Sequence, residues 1–502
     1  MPLKFNPIRK AKHLLEPGEG LHQRTIRSGA WVFAIRIASQ GFSFVRLIII
    51  ARILAPDDFG LFGIAMLAMA TLSTFTATGF SSALIQKKGR IEDYLNTAWT
   101  VTILRGAAIF TILFFAAPYV ATFFNAPETT NILRVIGIST LLGGFANIGV
   151  VYFEKELEYN KQFFYELSSM VADFVVVVST ALILRSVWAL VFGLLASSIV
   201  KVIVSYRIHP YRPRFSLDLG KAKELFAFGK WILGSAVVVF LFSQGDDGFV
   251  GKLLGVASLG LYRMAYQISN TPTSEVASVF SRVTFPVYSK LQDNLPGLRQ
   301  AYLKVLQLNA FLSIPLAAGI FMLAPEFTQI VLTAKWLPVV PALQVLVLFG
   351  VLRSISATTS AVFRGVGKPQ IVTRWDAIRL GVLVAVIYPL TIQWGIMGTS
   401  IAVVLAQLVA TVGFSYMVIK ITECGVKDFS RLIGLPLIST AIMVLLLWGL
   451  KATFLTVSIG QFILLILAGI ATYFGATYLL DRFCNYGMRP LIKESLKSLR
   501  GS

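Results

Sequence analysis

Five polar residues, Arg36, Ser39, Gln40, Ser43 and Arg46, recur at three- and four-residue steps inside an otherwise apolar segment. At 3.6 residues per turn they stack along one face of a helix, leaving Phe33, Ile37, Val45 and Ile48 largely on the others. A guanidinium stays charged at any reachable pH, and its planar fork suits phosphate oxygens. In a membrane such a charge costs about 2.5–3.5 kcal/mol at the bilayer centre, so it should face protein or a water-filled cavity. With a rise of about 1.5 Å per residue, Arg36 and Arg46 each sit roughly 10 Å inside opposite ends of their helix. A second stripe joins Arg263, Gln267, Asn270, Ser274, Ser278 and Ser281, with Tyr262 and Tyr266 beside it, and a third joins Arg353, Ser356 and Ser360. Thr71, Thr74, Thr78 and Ser81 form a fourth without an arginine. Hydroxyl residues in membrane helices usually pack or bond back to their own helix, so only the arginine-bearing stripes carry weight. Arg36, Gln40, Ser43, Arg46, Arg263, Gln267, Asn270 and Arg353 are therefore the candidate lining of a net-positive, anion-binding cavity.

The elements that hold these residues follow from composition. A chain of 502 residues that is 56% hydrophobic and 14% charged cannot hide its apolar side chains in one water-soluble core. Apolar runs long enough to cross about 30 Å of hydrocarbon fall near 29–53, 60–86, 97–124, 130–153, 166–185 and 187–206. They continue near 230–251, 259–286, 304–324, 339–363, 375–394, 395–419, 433–450 and 458–480. The expected fold is an all-α polytopic membrane protein of about 14 transmembrane helices. The net charge of +21 is not a nucleic-acid signature here, because the basic residues follow the positive-inside rule. With the N-terminus inside, only Arg52, Arg185, Lys252, Lys335 and Lys451 fall outside, while Arg36, Arg46, Arg105, Arg134, Lys201, Arg263 and Arg353 lie within the spans. Both termini are thus expected in the cytoplasm.

The chain also repeats itself. GAWVFAIRIASQGFSFVRLIIIARILAPDDFGLFGIA, residues 29–65, aligns without gaps to GKWILGSAVVVFLFSQGDDGFVGKLLGVASLGLYRMA, residues 229–265. Gly29 and Gly229, Trp31 and Trp231, Gly60 and Gly260, and Leu61 and Leu261 are among the identities. Because the repeat unit holds an even number of helices, its copies enter from the same side, which predicts two six-helix lobes related by a pseudo-two-fold axis along the membrane normal. The expected organisation is a basic arm (1–28), an N-lobe (29–208), a cytoplasmic linker (209–229) and a C-lobe (230–420). A helix pair (433–480) and a basic tail (481–502) follow. The second half of the linker has the composition of an interfacial amphipathic helix, though a solvated linker fits nearly as well. Equivalence under the repeat sets Arg46 opposite Asp246, a candidate gate; the alternative is that Asp246 and Asp247 pair within their own lobe. In the turn between the first two helices, Pro56 interrupts the helix, and Asp57 or Asp58 caps the next. His13, His22 and His209 all fall in polar segments, where solvated roles are expected, and Cys424 and Cys484 lack metal-ligand spacing. No metal or other cofactor is expected.

The opening G-A-W with its arginine-bearing helix, the turn R-I-L-A-P-D-D-F-G-L-F at Arg52–Phe62, and T-G-F-S-S-A-L-I-Q-K-K at Thr78–Lys88 resemble the polysaccharide-transporter branch of the MOP superfamily, the Wzx-type oligosaccharide flippases. That resemblance implies a two-lobed transporter that moves polyprenyl-pyrophosphate-linked oligosaccharides across a bacterial inner membrane by alternating access. It implies a lipid-linked anionic glycan and membrane lipids as partners, possible contact with polysaccharide polymerase and assembly machinery, and no nucleic acid. Coupling to a proton or sodium gradient is implied too, for which Asp173 and Glu275 are the candidates among the intramembrane acids. A cation antiporter of the MATE type would call for acids where the first helix has Arg36 and Arg46. A polymerase or ligase would call for a sizeable outer loop, whereas the longest outer connection runs only from about Pro325 to Val340.

Overall fold

In the computed structural model, residues 21–87, 89–453 and 458–484 are described, and all regular structure among them is helical. The helices are α1 (Leu21–Ile53), α2 (Pro56–Phe75), α3 (Phe80–Gln86), α4 (Glu92–Phe123), α5 (Thr129–Gly144), α6 (Val151–Lys155), α7 (Tyr159–Leu184) and α8 (Trp188–Ile208). Then come α9 (Leu219–Leu254), α10 (Val256–Lys290), α11 (Leu295–Phe327), α12 (Val340–Gly365), α13 (Gln370–Thr422), α14 (Val426–Ala452) and α15 (Ile459–Cys484). Ten described segments are long and apolar enough to cross a membrane, or eleven if the pair Thr129–Gly144 and Ile148–Lys155, bent by 71°, is one span. The chain is a multi-pass membrane protein.

Most helix ends fall within a few residues of the expected ones, whereas α1, α9 and α11 begin eight, eleven and nine residues earlier than expected. The run 60–86 is not one helix: α2 ends at Thr76, and Gly79, with φ 67°, starts α3 in the left-handed region that glycine tolerates. Thr71, Thr74, Thr78 and Ser81 therefore do not share one helix face, and the Thr71 hydroxyl donates to the Leu67 carbonyl at 2.7 Å. The break expected between 394 and 395 is present as non-helical backbone at Trp394 and Gly395 inside α13. The connection Pro325–Val340 folds on itself as a π-turn, Thr328–Leu332, and a 3-10 helix, Ala334–Val339, around the buried Trp336.

Contacts divide the chain into two units, Met1–Gly260 and Leu261–Ser502. The division places α9 with the first unit, later in the sequence than the lobe boundary expected at 230. In that unit α1 packs on α7, α4 on α5 and α7 on α8. Trp31 meets Phe163 with ring centroids 5.1 Å apart. Asp58, at the third position of α2, settles the capping question: its carboxylate accepts from the Ala55 N–H at 2.9 Å and from the Val187 N–H, at the start of α8, at 2.8 Å. The remote end of α9 is held by Lys252, which donates to the Phe123 carbonyl at 2.7 Å and so caps the C-terminus of α4.

The repeated glycines meet one another. A Cβ on Gly60 would lie 1.9 Å from the Val256 carbonyl oxygen, and one on Gly260 would lie 2.0 Å from that of Pro56. Pro56 and Val256 are equivalent positions of the repeat, as are Gly60 and Gly260, so the first turns of α2 and α10 exchange the same contact in both directions. Small residues permit this backbone approach between membrane helices.

In the second unit α11 packs on α12 and α14, and α12 on α13. The α11–α12 seam is polar: the Asn309 amide donates to the Ser354 carbonyl at 2.9 Å and the Thr358 hydroxyl at 2.8 Å, and accepts from Ser313 and Ser354. On the terminal pair, Lys451 of α14 meets Glu326 at 2.7 Å, and the Tyr473 hydroxyl of α15 donates to the Phe311 carbonyl at 2.7 Å.

Candidate functional site

On α1, Arg36 and Gln40 are half-buried, Ser43 is exposed and Arg46 is half-buried. Arg46 has a defined partner. Its guanidinium meets the carboxylate of Asp173, on α7, at 3.1 Å, with 28% and 17% of the two side chains exposed. Asp246, the candidate gate partner of Arg46, is not the acid it meets in this structure, and Asp173 is one of the two candidates for ion coupling. Asp246 and Asp247 are both buried on α9, and the Asp247 N–H donates to the Asp246 carboxylate at 3.1 Å. Behind the ion pair, α8 comes close because Gly193 has no side chain: a Cβ there would stand 3.0 Å from Asp173 Oδ1 and 2.0 Å from Val177 Cγ2.

Three other cations expected within spans have structural partners in the first unit. Arg105 donates to the Ser73 carbonyl at 2.7 Å and to Thr76 at 3.2 Å, tying α4 to the end of α2. Arg134 lies over the Phe114 ring at 4.8 Å, and Lys201 pairs with Glu166 at 2.9 Å.

The remaining candidates belong to the second unit. On α10, Arg263 is half-buried, Gln267 exposed and Asn270 buried, and Asn270 Oδ1 has no hydrogen-bond partner among the described residues. Arg353, on α12, is exposed. The two helices meet at Gly350, where a Cβ would lie 2.3 Å from the Thr273 hydroxyl. The helices run parallel, since Gly365 of α12 likewise meets Tyr288 of α10, so Asn270, three residues before the crossing, and Arg353, three residues after it, stand about 9 Å apart along the pair. The side chains of Glu275, Ser274, Ser278 and Ser281 lie outside the described residues.

Ser356 does not extend the Arg353 stripe. It is buried, bonded to Thr411 at 2.9 Å and to Gln407 at 3.0 Å. Gln407 in turn accepts from Arg379 at 2.5 Å, and Arg379 lies 3.6 Å from Asp376. This chain of groups joins the two limbs of α13 to α12. Arg379 falls within the apolar run 375–394, yet the sequence reading does not count it among the intramembrane cations; its placement three residues after Asp376, one helical turn, is the signal that finds it.

His209 is another surprise. Its ring stacks on Tyr152 with centroids 5.5 Å apart, its Nδ1 accepts the Tyr211 N–H at 3.2 Å, and Gly149 makes room for it, since a Cβ there would lie 2.3 Å from Nδ1. The solvated role expected for this histidine gives way to a packed one. Burial, followed by the nearby Lys161, holds its pKa below the ordinary 6.5, against an opposing pull from Glu158. Folding therefore favours the neutral ring. That stabilisation is complete above the ordinary histidine pKa and is lost as pH falls through the lowered folded-state value. Amide hydrogen-exchange protection over 209–216, corrected for intrinsic rates, should fall in that acid window. His209→Gln, which cannot take a proton, should abolish the pH dependence.

The family described as "Polysaccharide biosynthesis protein" matches residues 49–341, more than half of the chain. The chain belongs to this family. Among curated relatives of the chain is "Uncharacterized membrane protein in cps region" of Klebsiella pneumoniae, 25% identical over 92% of this chain and 95% of that one. "Lipopolysaccharide biosynthesis protein WzxC" of Escherichia coli (strain K12) is 22% identical over 80% and 82% of the two chains. Among solved structures, "Lipid II flippase MurJ, inward closed conformation" superposes with a TM-score of 0.72 at 16% identity, covering 91% of this chain and 99% of that one. A second neighbour, "Inward-facing conformation of a multidrug resistance MATE family transporter of the MOP superfamily", superposes with a TM-score of 0.61 at 18% identity, covering 76% of this chain and 94% of that one; at these identities the likeness establishes the fold alone.

Proposed function

We propose that the chain is a flippase that carries a polyprenyl-pyrophosphate-linked anionic oligosaccharide, the repeat unit of a capsule, exopolysaccharide or O-antigen, across the bacterial inner membrane by alternating access. The observation that carries this reading is the family membership, and the intramembrane arginines on α1, α10 and α12 give it a chemical basis. In this reading the protein is a transporter and not an enzyme. Its fourteen spans comprise the six of 29–208, the six of 230–420 with α13 counted as two limbs, and the pair α14 and α15. Both termini are cytoplasmic, as the distribution of Lys and Arg favours.

Arg36, Arg263 and Arg353, with Gln40, Ser43, Gln267 and Asn270, would meet the pyrophosphate and acidic sugars, while the polyprenyl tail stays in lipid. Arg46 would leave Asp173 for Asp246 when the protein changes state, so that the ion pair and the gate are alternatives for one guanidinium. Asp173, released, becomes available to a proton or sodium ion, and Glu275 is the corresponding candidate in the second unit. The cation-antiporter reading has less support, because Asp173 is already matched by Arg46.

Deleting the gene and analysing lipid-linked intermediates tests the proposal. A pyrophosphate-linked repeat unit should accumulate on the cytoplasmic face; an unpolymerised unit accumulating on the outer face would instead indicate a polymerase. Complementation with Arg36→Ala or Arg263→Ala should restore protein to the membrane but leave most of the intermediate untransported. Full complementation by both would remove the arginine cavity from the account.

A further inference from the structure

Residues 209–218, between α8 and α9, run without helix along the first three turns of α4. Their backbone is strapped at alternate residues. The Arg214 N–H donates to Asn96 at 2.9 Å, the Ser216 N–H to Thr100 at 3.0 Å and the Asp218 N–H to Thr97 at 3.4 Å. The Tyr211 hydroxyl also donates to Asn96, at 2.8 Å, and the Tyr211 carbonyl accepts from Asn147 at 2.6 Å. Beyond the strap, Asp218 caps α9 by accepting the Lys221 N–H at 3.1 Å. The Glu224 carboxylate then ties that helix to Lys87 and to the Tyr94 hydroxyl. The segment is a fixed part of the first unit, not a solvated tether.

A bound strap should hide its apolar side chains, yet Phe215 is 69% exposed, Leu217 50% and Leu219 74%. Phe215 is nonetheless placed, its ring 4.9 Å from that of Trp99. Arg207, Arg212, Arg214 and Lys223 around these residues are exposed. Depth explains the combination. At about 1.5 Å per residue, the 32 residues of α4 exceed the roughly 30 Å hydrocarbon core by about 9 Å at each end. Asn96, Thr97 and Thr100 lie within about 6–12 Å of the start of α4, where headgroups give way to acyl chains.

We infer that the strap is an anionic-lipid docking surface: Phe215, Leu217 and Leu219 enter the acyl boundary of the leaflet on this side, and Arg207, Arg212, Arg214 and Lys223 hold phospholipid phosphates. The inference rests on the cytoplasmic placement of this side, where anionic headgroups and basic residues meet, and is independent of which substrate is carried. Its consequence is mechanical, since the start of α9 is pinned to the bilayer surface through Leu219 as well as to α4.

The test uses the full-length protein with Cys424 and Cys484 replaced by serine, a nitroxide at L217C, and reference labels at R90C and F115C, both exposed positions. Accessibility to oxygen and to a water-soluble nickel chelate is measured by electron paramagnetic resonance in vesicles. In phosphatidylglycerol–phosphatidylethanolamine vesicles the 217 label should resemble 115 more than 90. Arg212→Gln, Arg214→Gln and Lys223→Gln together should move it outward, weakening partitioning by about fivefold per charge removed. The matching Arg→Lys variants should keep it in place, which separates charge from folding. Equal chelate accessibility at 217 and 90 in every lipid composition would overturn the inference. So would burial seen in native membranes but lost in purified protein in anionic vesicles, an outcome that assigns the surface to a protein partner.

Discussion

Gly60→Val and Gly260→Val should each destabilise the protein more than any other single glycine replacement in its first unit, and the double variant should cost less than the sum. Each new side chain would collide with backbone and not with the end of a flexible side chain, at 1.9 Å from Val256 O or 2.0 Å from Pro56 O. Neither glycine has a positive φ, so the whole penalty comes from forcing the first turns of α2 and α10 apart. Overpacking of this kind costs about 1–3 kcal/mol, and occasionally more. Once one valine has separated the helices, the second finds the space already opened, so the pair should show a coupling of about 0.5 kcal/mol or more. Thermal unfolding of the purified protein, with alanine at the same positions as the milder step, measures both quantities. Additive losses would mean that the two contacts yield independently and that the reciprocal crossing is not one mechanical element.

The second large effect is expected at Arg46 and Asp173. Removing either partner leaves a charge in a span whose insertion cost is about 2.5–3.5 kcal/mol for an isolated ion at the bilayer centre, moderated here by the residual exposure of both side chains. Arg46→Ala should therefore lower stability and transport together. Asp173→Asn should lower stability less, because its amide keeps an oxygen for the guanidinium. The exchanged pair, Arg46→Asp with Asp173→Arg, should recover stability without recovering transport, since the guanidinium then projects from α7 instead of α1. Recovery of both would show that the pair is only a clamp. The companion exchange, Arg46→Asp with Asp246→Arg, separates the gate: transport rescued above either single variant supports it, and no rescue in a well-inserted protein removes it.

The sequence exposes features written in periodicity and composition. The apolar runs, the break at Trp394 and Gly395, and the repeated glycines are all visible because membrane burial and backbone approach restrict residue type at fixed spacing. The helix break at Gly79 is harder to see, since its flanks are as apolar as a continuous span. Partner choice is harder still. Arg46 reaches Asp173 through a packing of α1 on α7 that no local pattern encodes, whereas the repeat suggested only Asp246. His209 looks solvated in a polar segment, but Gly149, sixty residues earlier, provides the space that buries it. For Arg379 the local spacing from Asp376 is visible, but its bond to Gln407 depends on α13 folding back at its kink. Positions are thus largely legible, while long-range pairings emerge only from the fold.

The central claim is transbilayer movement of a pyrophosphate-linked glycan, and its most direct measurement uses the purified protein in sealed vesicles. A polyprenyl-pyrophosphate-linked oligosaccharide bearing an acidic sugar is enclosed on one leaflet, and its appearance on the other is followed with a membrane-impermeant sugar oxidant. The account predicts protein-dependent movement that Arg36→Ala and Arg263→Ala suppress and that the same glycan without its pyrophosphate fails to show. Movement no faster than in protein-free vesicles, under an imposed proton or sodium gradient of either direction, would contradict it.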